Sequence, residues 1–181
     1  VVSGLTPPPV PHMSELLTSV ERAYVCTESA LRPEGESNLY FEDLDLKLEP
    51  SGELGQVAAW LSERLFDGLP EWAEMFSKRL CLVSDDILMF FAQHAMELTT
   101  RVALEHDTKT VKKGQLWTEE TLPSESILVS LCTLTAGRVQ GVQRDEVWAT
   151  LEHLQTGALQ IGGNATVGQG RCRLSVAGGK A

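Results

Sequence analysis

A backbone that must lie close to a ligand needs residues without side chains. The stretch Leu159-Gln-Ile-Gly-Gly-Asn-Ala-Thr-Val-Gly-Gln-Gly-Arg-Cys-Arg-Leu174 places Gly162, Gly163, Gly168 and Gly170 between two strand-like ends. Glycine reaches positive φ without a Cβ clash and lets another chain come near. Arg171 and Arg173 follow, with no acid in the window. Such a loop suits contact with a phosphate chain, in which backbone amides and guanidinium groups position the anion. The same glycines also fit a tight connection between two strands that touches no ligand, although the stretch from Gly163 to Gly168 is longer than a simple hairpin needs. No Gly-Lys-Ser/Thr follows, and the spacing is not that of a dinucleotide fingerprint.

A second cluster lies upstream. Lys109, Lys112 and Lys113 offer three ammonium groups, with hydroxyls at Thr108 and Thr110, and Trp117, Glu119 and Glu120 come shortly after. The lysines suit a phosphate backbone and also suit a solvated loop. Trp117 can stack on a base or rest against the core. The two glutamates can hold an arginine, sit in solvent, or assist at a metal. Elsewhere the chemistry thins out. His12, His94, His106 and His153 show no mutual ligand spacing, and Cys26, Cys81, Cys132 and Cys172 contain no C-x-x-C pair. No metal ligand set and no Ser/His/Asp arrangement emerges; four buried free thiols in a reducing cytoplasm are expected, with two disulfides left open.

Composition sets limits on these sites. The 181 residues are 43% hydrophobic and 22% charged, as in an ordinary globular domain. No run reaches the about 18 apolar residues of a membrane span, and no membrane partner is expected. The net charge of −10 argues against a general nucleic-acid surface, so any RNA contact must be local.

The elements that must position the sites follow from periodicity. Residues 1–12 carry Pro7, Pro8, Pro9 and Pro11 and read as an extended arm. Ser14 can cap a helix running to about Tyr24, and residues 28–38 read as a loop. Leu44, Leu46 and Leu48 alternate with charged residues as in a half-buried strand. Ser51 caps a helix with Leu54, Val57, Ala58, Leu61 and Leu65 on one face, broken at Gly68 and Pro70. A helix over 71–78 and a short strand over Leu80–Val83 come next. Ser84 opens another helix, whose Asp85 and Asp86 suit the first turn. Residues 97–105 alternate as a strand, 106–114 form a polar loop, and Ile127–Leu134 is rich enough in branched residues for a strong strand. Asp145 caps a helix with Val147, Trp148, Leu151 and Leu154, and Gly157 ends it. The class is α+β.

The glycine-rich end, together with Asp107-Thr-Lys-Thr-Val-Lys-Lys-Gly-Gln-Leu-Trp-Thr-Glu-Glu-Thr-Leu-Pro123 and Arg79-Leu-Cys-Leu-Val-Ser-Asp-Asp86, resembles the backbone RAMP subunit of type III-B (Cmr) CRISPR effector complexes. The match is closest over residues 79–176. Residues 1–78 resemble that family's variable middle, and 79–181 the C-terminal part of its core. The resemblance implies a ferredoxin-like (RRM-related) core with insertions, here incomplete. It implies a cytoplasmic subunit that binds CRISPR guide RNA and target RNA in antiviral defence. Its partners would be other effector subunits and further copies of itself.

In that family the guide backbone would contact Gly162, Gly163, Gly168, Gly170 and Arg171, while Lys109, Lys112, Lys113 and Trp117 would face the guide–target duplex. Relatives cut target RNA with a divalent metal and an aspartate from an N-terminal half that no segment here matches, and an acidic residue equivalent to Glu119 lies near the cut. Glu119 is thus the catalytic candidate, and this chain alone is expected to hold no cofactor. Two other readings stay open. One is a metal-dependent endoribonuclease completed by the unmatched segment, and the other is a protein–protein module using the proline arm and the acidic region.

Overall fold

The structure is a computed structural model that describes residues 6–16, 19–32, 36–133, 141 and 143–176. The chain forms two compact units interleaved in sequence. The first comprises Val10–Gly55 and Ser77–Val129, and the second the described parts of Val1–Pro9, Gln56–Phe76 and Ser130–Ala181.

The first unit is built on a four-stranded sheet. After a single helical turn, α1 (Met13–Leu16), the chain enters β1 (Arg22–Cys26), followed by β2 (Asn38–Phe41), β3 (Leu44–Ser51) and the short β4 (Cys81–Leu82). The spatial order is β2-β3-β1-β4. β1 runs parallel to β3 and antiparallel to β4, and β2–β3 is a hairpin whose two-residue turn sets Phe41 opposite Leu44. The helix expected from Ser14 to Tyr24 is therefore corrected. Arg22–Cys26 is a strand because it takes the centre of this sheet, where Ala23, Tyr24, Val25 and Cys26 are all buried. A strand covered on both faces shows no alternation, which removes the periodic signal. β2, within and beyond the expected loop, was hidden by its brevity.

α4 (Asp85–His94) covers one face of the sheet. Ile87 joins Ala23, Val25, Leu46 and Leu48 in a buried cluster, with Phe91, Cys81 and Val83 packed against it. Ser84 caps the helix, its hydroxyl accepting from the Ile87 amide at 3.4 Å, and Asp85 and Asp86 occupy the first turn as expected. On the other face the His12 ring stacks on Tyr24 with centroids 4.0 Å apart. Its Nε2 lies 3.0 Å from Ser51 Oγ, which also accepts from the Leu54 amide at 3.3 Å and so caps the next helix.

That helix is α2 (Gly52–Leu65), followed by α3 (Pro70–Arg79). β5 (Glu97–Leu104) and β6 (Val111–Thr121) form a separate antiparallel ribbon. The loop expected over 106–114 is shorter than anticipated, because β6 already begins at Val111. The second unit carries α5 (Arg144–Leu154) and the pair β7 (Ala158–Gln160) and β8 (Arg171–Arg173). α5 is capped by Gln143, whose amide donates to the Glu146 carboxylate at 3.2 Å, and Asp145 lies inside the first turn.

The strand expected over Ile127–Leu134 is not observed. Described residues 127–133 have no regular structure, and Leu134 lies outside the described residues. Branched residues favour a pleated surface but cannot supply the neighbouring strand that makes one. The α+β class holds, and the mixed sheet with its covering helix is consistent with a ferredoxin-like RAMP core.

Candidate nucleic-acid interface

The glycine-rich loop joins β7 to β8 and lies in solvent, with residues 161–168 exposed. It is not slack. The Ile161 amide donates to the Gly170 carbonyl at 2.8 Å, and Gln160 Nε2 donates to the Gln169 carbonyl at 2.9 Å. Asn164 Nδ2 donates to Gln169 Oε1 at 2.8 Å, and a 3-10 turn over Ala165–Val167 fills the centre. Gly170 is required by space as well as by its φ of +73°, because a Cβ there would strike the Ile161 carbonyl oxygen and approach Gln160 Nε2 to 2.6 Å. Gly163 has neither constraint: its φ is not positive and nothing lies within 4 Å of an added Cβ. Gly162 and Gly168 face equally open space. The loop thus presents bare backbone outward on a braced frame.

The two arginines at its exit differ. Arg173 Nη2 donates to the Asp67 carbonyl at 3.1 Å and Ser175 Oγ to the Arg64 carbonyl at 2.8 Å, so both satisfy carbonyls at and just beyond the end of α2. Arg171 is exposed and makes no hydrogen bond or ion pair among the described residues. The guanidinium left available to an anion is that of Arg171.

In the first unit the β5–β6 ribbon carries the other candidates. Its pairing slips between Val102, opposite Leu116, and Leu104, opposite Val111. Residues 112–115 therefore bulge against Ala103 alone, and bulges re-aim side chains. Lys112 and Lys113 stand on this bulge and Lys109 at the ribbon tip. All three are exposed, and none is ion-paired among the described residues.

Farther along, Arg101 lies opposite Trp117 and Thr99 opposite Glu119. Arg101 Nε donates to Glu119 Oε2 at 3.1 Å, and Trp117 Nε1 donates to Glu119 Oε1 at 3.0 Å. Both carboxylate oxygens are engaged, while Trp117 stays 44% exposed and its indole is held from its edge. A divalent cation at Glu119 would have to share these oxygens with Arg101 and Trp117. Among the described residues no three His, Cys, Asp or Glu side chains gather as a metal site.

Burial pushes the Cys81 thiol up to about 11 and raises Cys26, which makes both poor nucleophiles. All four cysteines are free, but the expectation that all are buried is corrected: Cys26 is buried, Cys81 and Cys172 are half-buried and Cys132 is exposed. Sequence reasoning overlooked Arg101, whose signal was its place on the face of β5 that bears the half-buried Thr99 and Ala103.

The ribbon presents a basic tip and an exposed indole, and the glycine loop an exposed arginine at its exit. Comparison with known proteins gives the class. The model of the RAMP superfamily matches residues 26–173, and the chain belongs to that superfamily. It is similar to the CRISPR system Cmr endoribonuclease Cmr4 of Pyrococcus furiosus, with 31% identity over 106 residues, or 59% of this chain and 36% of that protein. The matched stretch is thus little more than a third of the relative's length. A crystal structure of oligomeric Cmr4 from Pyrococcus furiosus aligns with a TM-score of 0.47 and 15% identity, covering 83% of this chain and 50% of that one. No helix among the described residues is long and apolar enough to cross a membrane.

Proposed function

We propose that this chain is a Cmr-type RAMP subunit that holds CRISPR guide RNA by its backbone in a cytoplasmic type III-B interference complex directed at RNA. The observation that carries the reading is the exposed, braced glycine loop with the unpaired Arg171 at its exit, in a chain of the RAMP superfamily. Gly162, Gly163 and Gly168 let a ribose–phosphate strand lie against the loop, and Arg171 meets a phosphate. Lys109, Lys112 and Lys113 supply phosphate contacts at the ribbon, and Trp117 supplies a stacking face for a base of the guide–target duplex. None of these groups reads sequence, which base pairing between guide and target provides. Assembly with other subunits and with copies of itself fits the same reading.

The test is RNA binding by the 181-residue protein, measured by fluorescence anisotropy against guide-like RNAs of unrelated sequence. Arg171→Ala should weaken binding to a similar degree for every sequence. A loss confined to one sequence, or no binding by the unmodified chain at low salt, rejects the reading.

A further inference from the structure

Three hydrogen bonds that shape the glycine loop meet at Gln169, a residue with no part in the phosphate contacts proposed for it. The Gln169 amide donates to the Asn164 carbonyl at 3.3 Å. Its side-chain Oε1 accepts from Asn164 Nδ2 at 2.8 Å, and its carbonyl accepts from Gln160 Nε2 at 2.9 Å. The bonds to Asn164 cross the loop, and the bond from Gln160 ties it to the end of β7. Gln169 is half-buried, whereas residues 161–168 before it are exposed. Its side chain reaches across the loop and is engaged there. Asn164 suits the other end of the brace in two ways. Its φ of +60° is left-handed, which Asn tolerates better than most residues, and its side-chain amide supplies the donor.

The composition of the loop makes such a brace consequential. Gly162, Gly163 and Gly168 have wide conformational freedom, and fixing each in one conformation costs entropy. If the loop took its shape only on meeting RNA, that cost would weaken binding. A brace made within the chain shifts the cost to folding, which is what preorganisation means. Both side-chain bonds are exposed and compete with water, so they add little to global stability while deciding which shape the loop holds.

We propose that Gln169 is a positioning residue for RNA: it holds the glycine loop in the shape that receives a ribose–phosphate strand, and makes no contact with RNA itself. The proposal rests on the loop being an RNA contact.

Nuclear-spin relaxation on the 181-residue protein tests the brace without RNA. Backbone order parameters over residues 162–168 should be about 0.85 in the unmodified chain and fall below about 0.6 in Gln169→Ala. Fluorescence anisotropy with guide-like RNA tests the consequence. A loop that holds the receptive shape one-tenth of the time binds about tenfold more weakly, so Gln169→Ala should lose about that factor. Its salt slope should stay unchanged, because every phosphate contact survives, and so should its thermal midpoint. Asn164→Gly keeps the left-handed backbone but removes the donor, and should weaken binding to a similar degree. The double variant should be no weaker than either single one, since both remove the same bond.

A loop equally ordered with and without the Gln169 side chain overturns the proposal. So does unchanged RNA affinity in Gln169→Ala, an outcome that leaves the RNA contact itself standing. A reduced salt slope overturns it by making Gln169 a phosphate contact, and a lowered thermal midpoint by making it a structural residue. Additive losses in the double variant overturn it by showing the two amides to act apart. Failure of the unmodified chain to bind RNA at low salt rejects the proposal together with the RNA contact.

Discussion

At the scale of single residues, the two exit arginines separate binding from stability. The Arg171 guanidinium has no hydrogen bond or ion pair among the described residues, whereas that of Arg173 holds the Asp67 carbonyl. Arg171→Ala should leave the thermal midpoint unchanged and lower the slope of log affinity against log salt by about 0.7, the contribution of one single-strand phosphate contact. Arg173→Ala should lower the thermal midpoint instead. The glycines divide in the same way. Gly170→Ala forces a Cβ onto the Ile161 carbonyl and should destabilise the protein by about 2 kcal/mol or more, read by urea unfolding. Gly163→Ala should fold normally and weaken RNA binding, because its Cβ projects into open space where the RNA would lie.

Cys81 gives a pH signature. Its folded thiol is pushed up to about 11, above the ordinary thiol value. Below that ordinary value both folded and unfolded chains keep the proton, and its contribution to stability is whole. As pH rises from the ordinary thiol range through about 11, only the unfolded chain ionises, and stability falls. Urea midpoints measured along this window should decline, and Cys81→Ala should flatten the decline.

At the scale of elements, the two faces of the central sheet depend on different physics. One is an aliphatic cluster under α4, and the other is a polar tie in which His12 stacks on Tyr24 and meets Ser51, the cap of α2. His12→Ala removes the stack and the hydrogen bond and should cost about 1–2 kcal/mol in chemical unfolding. In the ribbon, Glu119→Gln breaks the pair with Arg101, a loosely buried contact worth at most about 1 kcal/mol.

Elements with a local signature were legible from the sequence. Ser51 and Ser84 mark helix starts, Leu44, Leu46 and Leu48 mark β3, and the glycines mark the β7–β8 connection. Elements defined by their neighbours were not. β1 carries no alternation because the sheet buries both its faces, and Ile127–Thr133 has every propensity of a strand but no strand partner among the described residues. Of the candidate site, the residue types were readable but their engagement was not. Nothing local distinguishes Arg171 from Arg173, or shows that both oxygens of Glu119 are held.

At the scale of the whole molecule, a net charge of −10 makes RNA binding a matter of patches. Replacing Lys109, Lys112 and Lys113 by Gln should lower the salt slope by about 2 if all three meet phosphates of a single strand, with equal loss for unrelated sequences. Membership of the RAMP superfamily and the glycine loop were accessible without coordinates, because they rest on short-range spacing that any conformation preserves. Helix caps and strand alternation belong to the same category. Tertiary structure alone decided which strand sits at the sheet centre, which arginine is spent on a helix end, and which carboxylate pairs with Arg101 across the ribbon. Those outcomes depend on contacts between residues far apart in sequence, and burial and hydrogen-bond satisfaction are settled only when the distant partner arrives.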